Sequence, residues 1–199
     1  MKAAIGFKPH SGWAAVVVVG RDGGSLHLVE RSRIALVDEP DDAWARQPYH
    51  AAEPLPRDDA VALVQRGIRS AHAVALRETR RLLDRLRSAR HEVSACGVIV
   101  GRPMPDWTTE QILAVHIRMH QAEGALFPDA LAQAAAACGL AVVRLADKDA
   151  EAQAAPFMAE VAALGRSAGP PWGRDQKVAA LAALLALQND HPPLTTRLP

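Results

Sequence analysis

Apolar positions gather first at the start of the chain, where residues 3–7 and 13–19 form two runs of Ala, Val, Ile and Phe around Lys8-Pro9-His10-Ser11-Gly12. Two such runs about a short turn-forming segment predict a hairpin whose strands are buried on both faces. The turn Arg21-Asp22-Gly23-Gly24 then leads into residues 26–37, where apolar and polar positions mix. That pattern predicts a third antiparallel strand nearer a sheet edge. Residues 38–56 hold Pro40, Pro48, Pro54 and Pro56 with Trp44, Tyr49 and His50 among them, a long loop with room for one helical turn.

From Asp58-Asp59 onward the pattern changes period. Ala60, Val64, Ile68, Ala71, Ala75, Leu82 and Leu86 recur at helical spacing to about residue 89, a long amphipathic helix with an acidic start. Its polar side carries Arg66, Arg69, Arg77, Arg80, Arg81, Arg85 and Arg87 against Glu78 and Asp84, either a solvated face or a basic patch for phosphates. Residues 93–100 are again almost continuously apolar and end in Gly101-Arg102-Pro103, which predicts a central parallel strand. Thr108 and Thr109 offer N-cap chemistry for a helix through Ile112, Leu113, Val115, Ile117 and Met119. Helical character resumes to Cys138, with a kink expected near Pro128 and a stop at Gly139. Residues 140–145 read as the last strand, 149–164 as a helix, 165–173 as a Gly/Pro loop around Trp172, and 174–187 as a closing helix of Ala and Leu.

Three antiparallel strands followed by alternating helices and parallel strands predict an α/β domain with a mixed five-stranded sheet flanked by helices. With 49% hydrophobic residues in a chain of 199, one domain over 1–188 with a frayed tail at 189–199 is the expectation. A net charge of +1 excludes a global basic field, so a charged partner would have to be met by a local patch. Cys96 and Cys138 each adjoin apolar stretches far apart in sequence, which fits buried thiols in a reducing cytoplasm better than a disulfide. The first residues carry no leader pattern, and no apolar run approaches about 20 residues, so the expectation is a protein neither secreted nor in a membrane.

Three segments carry a family resemblance. Ile5-Gly6-Phe7-Lys8-Pro9-His10-Ser11-Gly12 opens the hairpin, His120-Gln121-Ala122-Glu123-Gly124 lies in the helix after the fourth strand, and Pro170-Pro171 precede Asp175-Gln176-Lys177-Val178 in the closing helix. In this order they resemble the ribonuclease H-like superfamily, and within it the bacterial Holliday-junction resolvases. The resemblance implies the ribonuclease H-like fold and a partner among nucleic acids. It also implies an activity that needs several carboxylates around two divalent metals. Here the first-strand aspartate position falls on Phe7 or Lys8, the fourth strand ends in Gly101-Arg102, and the second aspartate of the closing helix is Val178. Asp175 alone stands at a matching position, as the candidate catalytic carboxylate.

The same topology would gather Lys8, His10, Ser11, Arg102, Arg174 and Lys177 at one sheet edge, a basic crevice suited to phosphate in place of an acidic metal site. The leading expectation is therefore a catalytically degenerate member that binds nucleic acid or a phosphorylated ligand. His116, His120 and Glu123, spaced i, i+4, i+7, share a helix face and form either a hydrogen-bonded network or a metal site. With Asp175 they would serve a divergent nuclease or hydrolase using magnesium, manganese or zinc. A third reading is a scaffold or homodimer that uses the Pro-rich loop and the long helix to meet another polypeptide. Asp147 and Asp149 read as loop and N-cap residues.

Overall fold

A computed structural model describes residues 1–38 and 44–189. Five strands make one sheet: β1 (Lys2–His10), β2 (Trp13–Asp22), β3 (Ser25–Ala35), β4 (Glu92–Val100) and β5 (Ala141–Ala146), in the order β3-β2-β1-β4-β5. β2 runs antiparallel to β1 and β3, while β4 is parallel to β1 and β5 to β4. This mixed sheet, three antiparallel strands and then two parallel ones with helices on both faces, is the arrangement the strand and helix order predicts. The more polar β3 lies at one edge, as its pattern predicts, and β4 lies inside the sheet.

The two-residue period of the first hairpin sorts its side chains between two cores. Ala3, Ile5 and Phe7 of β1 with Ala14, Val16 and Val18 of β2 pack under α2 (Arg57–Ser88) and α4 (His116–Ala137), against Leu82, Leu83, Phe127 and Leu131. Ala4, Val17 and Val19 face α7 (Arg174–Asn189), against Ala179, Ala180, Ala183 and Leu184. Between these alternate positions Gly6 and Gly97 lie side by side in paired strands. A Cβ at Gly6 would fall 1.8 Å from the Ala179 carbonyl oxygen, and one at Gly97 2.1 Å from that of Ala182. The alanine-rich helix thus rests directly on the sheet backbone, and its first turn is set at the C-terminal ends of β1 and β4.

The Pro-rich segment is anchored. A 3-10 turn at 44–46 leads to α1 (Pro48–Ala52), whose Tyr49 and Ala52 are buried with Ala60 and Val64 of α2 and Met119 and Ala122 of α4. α1 sits where α2 has no side chain, since a Cβ at Gly67 would meet Pro48 at 2.6 Å. Pro40 lies outside the described residues.

Two expected helices are each divided. The Thr108 hydroxyl accepts the Gln111 N–H while the Gln111 side chain accepts the Thr108 N–H, a capping box that opens α3 (Thr109–Leu113). The chain then extends at Val115 before α4 begins. Val115 and Ile117, expected on the apolar face, are therefore exposed, and the helix continues through Pro128, with the break upstream of it. The helix expected over 149–164 starts earlier and is interrupted near Pro156: α5 (Asp147–Ala154), a 3-10 turn (Ala155–Phe157) and α6 (Met158–Ala168). α7 reaches Asn189, and the rest of the expected tail lies outside the described residues. Both cysteines are free thiols. Among the described residues no helix is long and apolar enough to cross a membrane.

Candidate functional site

β1, β4 and β5 are parallel, so their C-terminal ends open at one edge of the sheet, where ligands of α/β proteins commonly bind. A cavity of about 380 Å³ lies there, lined by Val100, Gly101 and Arg102 after β4, Ala146, Asp147 and Lys148 after β5, and Arg174 at the start of α7. Arg174 also borders a more apolar hollow of about 400 Å³ with Lys177, Val178 and Leu181.

The strand period decides which residue of β1 addresses this edge. Phe7 is fully buried under α2 and α4, whereas Lys8 shares the face of Ala4 and Gly6, toward α7. The Lys8 ammonium lies 3.2 Å from Asp147 Oδ1, with 16% of its side chain exposed. Two positions on, His10 Nε2 lies 3.1 Å from Asp175 Oδ2, and the His10 ring stacks on Trp13 at 4.2 Å. Arg33 covers the same indole at 3.7 Å. The loop before α7 is held by Arg31 of β3, which donates to the carbonyls of Gly169 at 2.9 Å and Pro171 at 2.6 Å. At the helix start the Gln176 side chain accepts the Gly173 N–H at 3.0 Å.

Of the cations expected at the crevice, Arg102 and Arg174 line the cavity together with Asp147, Lys8 reaches it only through its pair with Asp147, and Lys177 stands one turn along α7. His10 and Asp175 form the adjoining pair. Arg102, Lys148, Arg174 and Lys177 have no carboxylate partner among the described residues. Ser11 does not line the cavity. It is exposed in the β1–β2 turn, whose Gly12 carbonyl accepts the Leu36 N–H at 2.9 Å. Asp147, Lys148 and Trp13 were not expected in the site. Their signal was position: Asp147 and Lys148 follow β5 at the edge where β1 and β4 also end.

The arginine side of α2 has a different character. Arg77 pairs with Asp38 at 2.6 Å and with Glu78, Arg81 with Glu78, Arg85 with Glu30 and Arg87 with Asp84. The Arg77 hydrogen bond holds the Asp38 carboxyl below its ordinary range. Most of this charge is neutralised locally, as a solvated helix face would be.

His116, His120 and Glu123 do share one side of α4. His116 and His120 face each other, Nε2 to Nε2, at 3.1 Å. Glu123 is buried and turned to α1, where it accepts the His50 N–H at 3.1 Å and lies 2.6 Å from His50 Nδ1. Burial, with the Glu123 charge second, raises the neighbouring Tyr49 phenol above its ordinary value. Among the described residues, His50, His116 and His120 are the one group of three or more His, Cys, Asp or Glu side chains close enough to share a metal. Asp147 and Asp175 belong to no such group.

No protein-family model and no curated protein matches the chain. Among solved structures it is similar to Thermus thermophilus RuvC in complex with Holliday junction substrate, at 15% identity over 92% of this chain and 91% of that one, with a TM-score of 0.44. It is similar also to a second Thermus thermophilus RuvC structure, at 16% identity over 92% of this chain and 91% of that one, with a TM-score of 0.41.

Proposed function

We propose that this chain is a ribonuclease H-like protein that binds the phosphate backbone of nucleic acid in the crevice at the C-terminal ends of β1, β4 and β5, and does not cleave it. The observation that carries this reading is the Lys8–Asp147 pair at 3.2 Å. Two-metal hydrolysis needs carboxylates converging on divalent ions. At this edge an ammonium from β1 engages the carboxylate after β5, and a divalent ion beside Asp147 would meet that positive charge.

What is unfavourable for a metal favours an anion. Arg102, Lys148 and Arg174 line the cavity without a carboxylate partner among the described residues, and their fields add over a concave surface. The 16-residue α7 presents its N-terminal end, where Arg174 lines the cavity, and with it the positive end of its dipole. The paired arginines of α2 supply less, because Glu30, Asp38, Glu78 and Asp84 already meet four of them.

The test is fluorescence anisotropy with branched, single-stranded and duplex DNA at low salt, followed by gel analysis of the same mixtures with magnesium or manganese. The expected result is binding with every strand intact. Arg102→Ala with Arg174→Ala should weaken binding at least tenfold without unfolding the protein, since both side chains are exposed. Strand cleavage that Asp175→Asn abolishes would overturn the non-cleaving assignment. Affinity unchanged in the double variant would overturn the crevice, and capture of inorganic phosphate or a nucleotide with no DNA binding would overturn the nucleic-acid partner.

A further inference from the structure

Outside the crevice, three histidines from two distant segments are packed with their rings in contact. His50 comes from α1 in the Pro-rich segment, and His116 and His120 stand one turn apart at the start of α4. Ring centroids are 5.1 Å apart for His50–His116, 4.5 Å for His50–His120 and 4.7 Å for His116–His120. One ring nitrogen from each lies within 4.8 Å of the others. Neutral imidazoles gain little from such crowding, and protonated ones repel.

The hydrogen bonds orient the rings. Glu123, with 4% of its side chain exposed, faces His50 Nδ1 at 2.6 Å and accepts the backbone N–H of the same residue. A carboxylate at Nδ1 keeps the proton there and leaves the Nε2 lone pair unused. His50 Nε2 is buried and has no hydrogen-bond partner among the described residues. On His116, Glu53 lies 3.7 Å from Nδ1, again leaving Nε2 toward the cluster, where His120 Nε2 is 3.1 Å away. Two imidazole nitrogens bound tetrahedrally to one zinc ion lie about 3.3 Å apart, from Zn–N bonds of about 2.0–2.1 Å. The His116–His120 pair is already near that spacing.

We propose that His50, His116 and His120 bind one divalent transition-metal ion of the zinc class, with Glu123 as the positioning carboxylate for His50 and solvent at the fourth coordination position. Imidazole ligands select zinc, copper or nickel over magnesium, which requires hard oxygen donors. The solvent side is open, because the His116 side chain is 60% exposed. The ion joins α1 to α4 and so fastens the Pro-rich segment to the core. The site stands apart from the anion reading, since none of its ligands lines the crevice.

Zinc titration of the full chain without a polyhistidine tag, in competition with a chromophoric chelator, tests the proposal, together with cobalt(II) absorption. One zinc per chain and the intense visible bands of tetrahedral cobalt(II) are expected. His116→Ala with His120→Ala should lower zinc affinity at least 100-fold while the metal-free protein unfolds as the wild type does, because both side chains are exposed. Glu123→Gln should lower it about 10- to 100-fold, the usual range for a lost carboxylate behind a histidine ligand. Zinc affinity unchanged in the double histidine variant, or no stoichiometric binding by the wild type, would overturn the site. Wild-type affinity in Glu123→Gln would overturn the role given to the carboxylate.

Discussion

Lys8 reaches Asp147 at the edge of the crevice because of parity. It lies two residues after Gly6 and four after Ala4, on the face of β1 that meets α7, and Phe7 takes the other face. Phe7 and Lys8 both stood in sequence where the resembled family carries an aspartate, and alternation along the strand places Phe7 in the core under α2 and α4 and Lys8 on the opposite face. Parity also buries Cys96, paired with Ile5 across the β1–β4 ladder. Burial pushes its thiol up to about 12 from an ordinary 9.0. The unfolded thiol ionises first as pH rises, so this contribution to stability is complete below about pH 9 and is lost toward pH 12. Alkylation of the native protein should therefore modify the half-buried Cys138 well before Cys96, as peptide mass spectrometry would read. Equal labelling would contradict the burial.

At the scale of elements, the close approach of α7 to the sheet is made by residues with the least side chain. Gly6 and Gly97 form a floor on which the Ala179 and Ala182 carbonyls rest, with no flexible side chain there to yield. Gly6→Ala should destabilise the protein by about 3 kcal/mol or more in urea unfolding. Gly124→Ala, at a helical position with nothing within 4 Å, should stabilise it by about 0.5–1 kcal/mol. The two helix stops before parallel strands differ in how they can be read. α4 ends at Gly139, φ +82°, and the residue type alone marks the stop. α2 ends in the same kind of motif at Arg90, φ +62°, where the Arg90 N–H reaches the Arg87 carbonyl and the His91 N–H that of Leu86. Nothing in the residue type announces that turn. Arg90→Gly relieves it and should raise stability by about 0.5–1 kcal/mol in the same assay. The breaks at Val115 and near Pro156 divided helices whose spacing looked continuous, because Val115 and Ile117 kept helical period while facing solvent. His50 could not have been joined to His116 and His120 from spacing, since its place depends on how the Pro-rich segment docks at Gly67.

At the scale of the molecule, a net charge of +1 conceals an uneven distribution. Acidic partners meet four of the α2 arginines, while Arg102, Lys148, Arg174 and Lys177 gather near the ends of three parallel strands without such partners among the described residues. The succession of strands and helices was legible because long apolar runs and Gly/Pro punctuation set it, and the topology expected from it is what suggested that Lys8, Arg102, Arg174 and Lys177 share one sheet edge. The Lys8–Asp147 pair was not legible, because Asp147 opens a helix and an acidic residue there has a local explanation. In the proposed function Arg102 and Arg174 of the crevice contact nucleic-acid phosphates. The most direct test of that contact is the slope of log affinity against log salt for duplex DNA, measured for the wild type and for Arg102→Ala with Arg174→Ala. Each lost phosphate contact lowers the steepness by about 1, so the double variant should lose about 2. A slope equal to that of the wild type, or no binding by the wild type at low salt, would contradict the account.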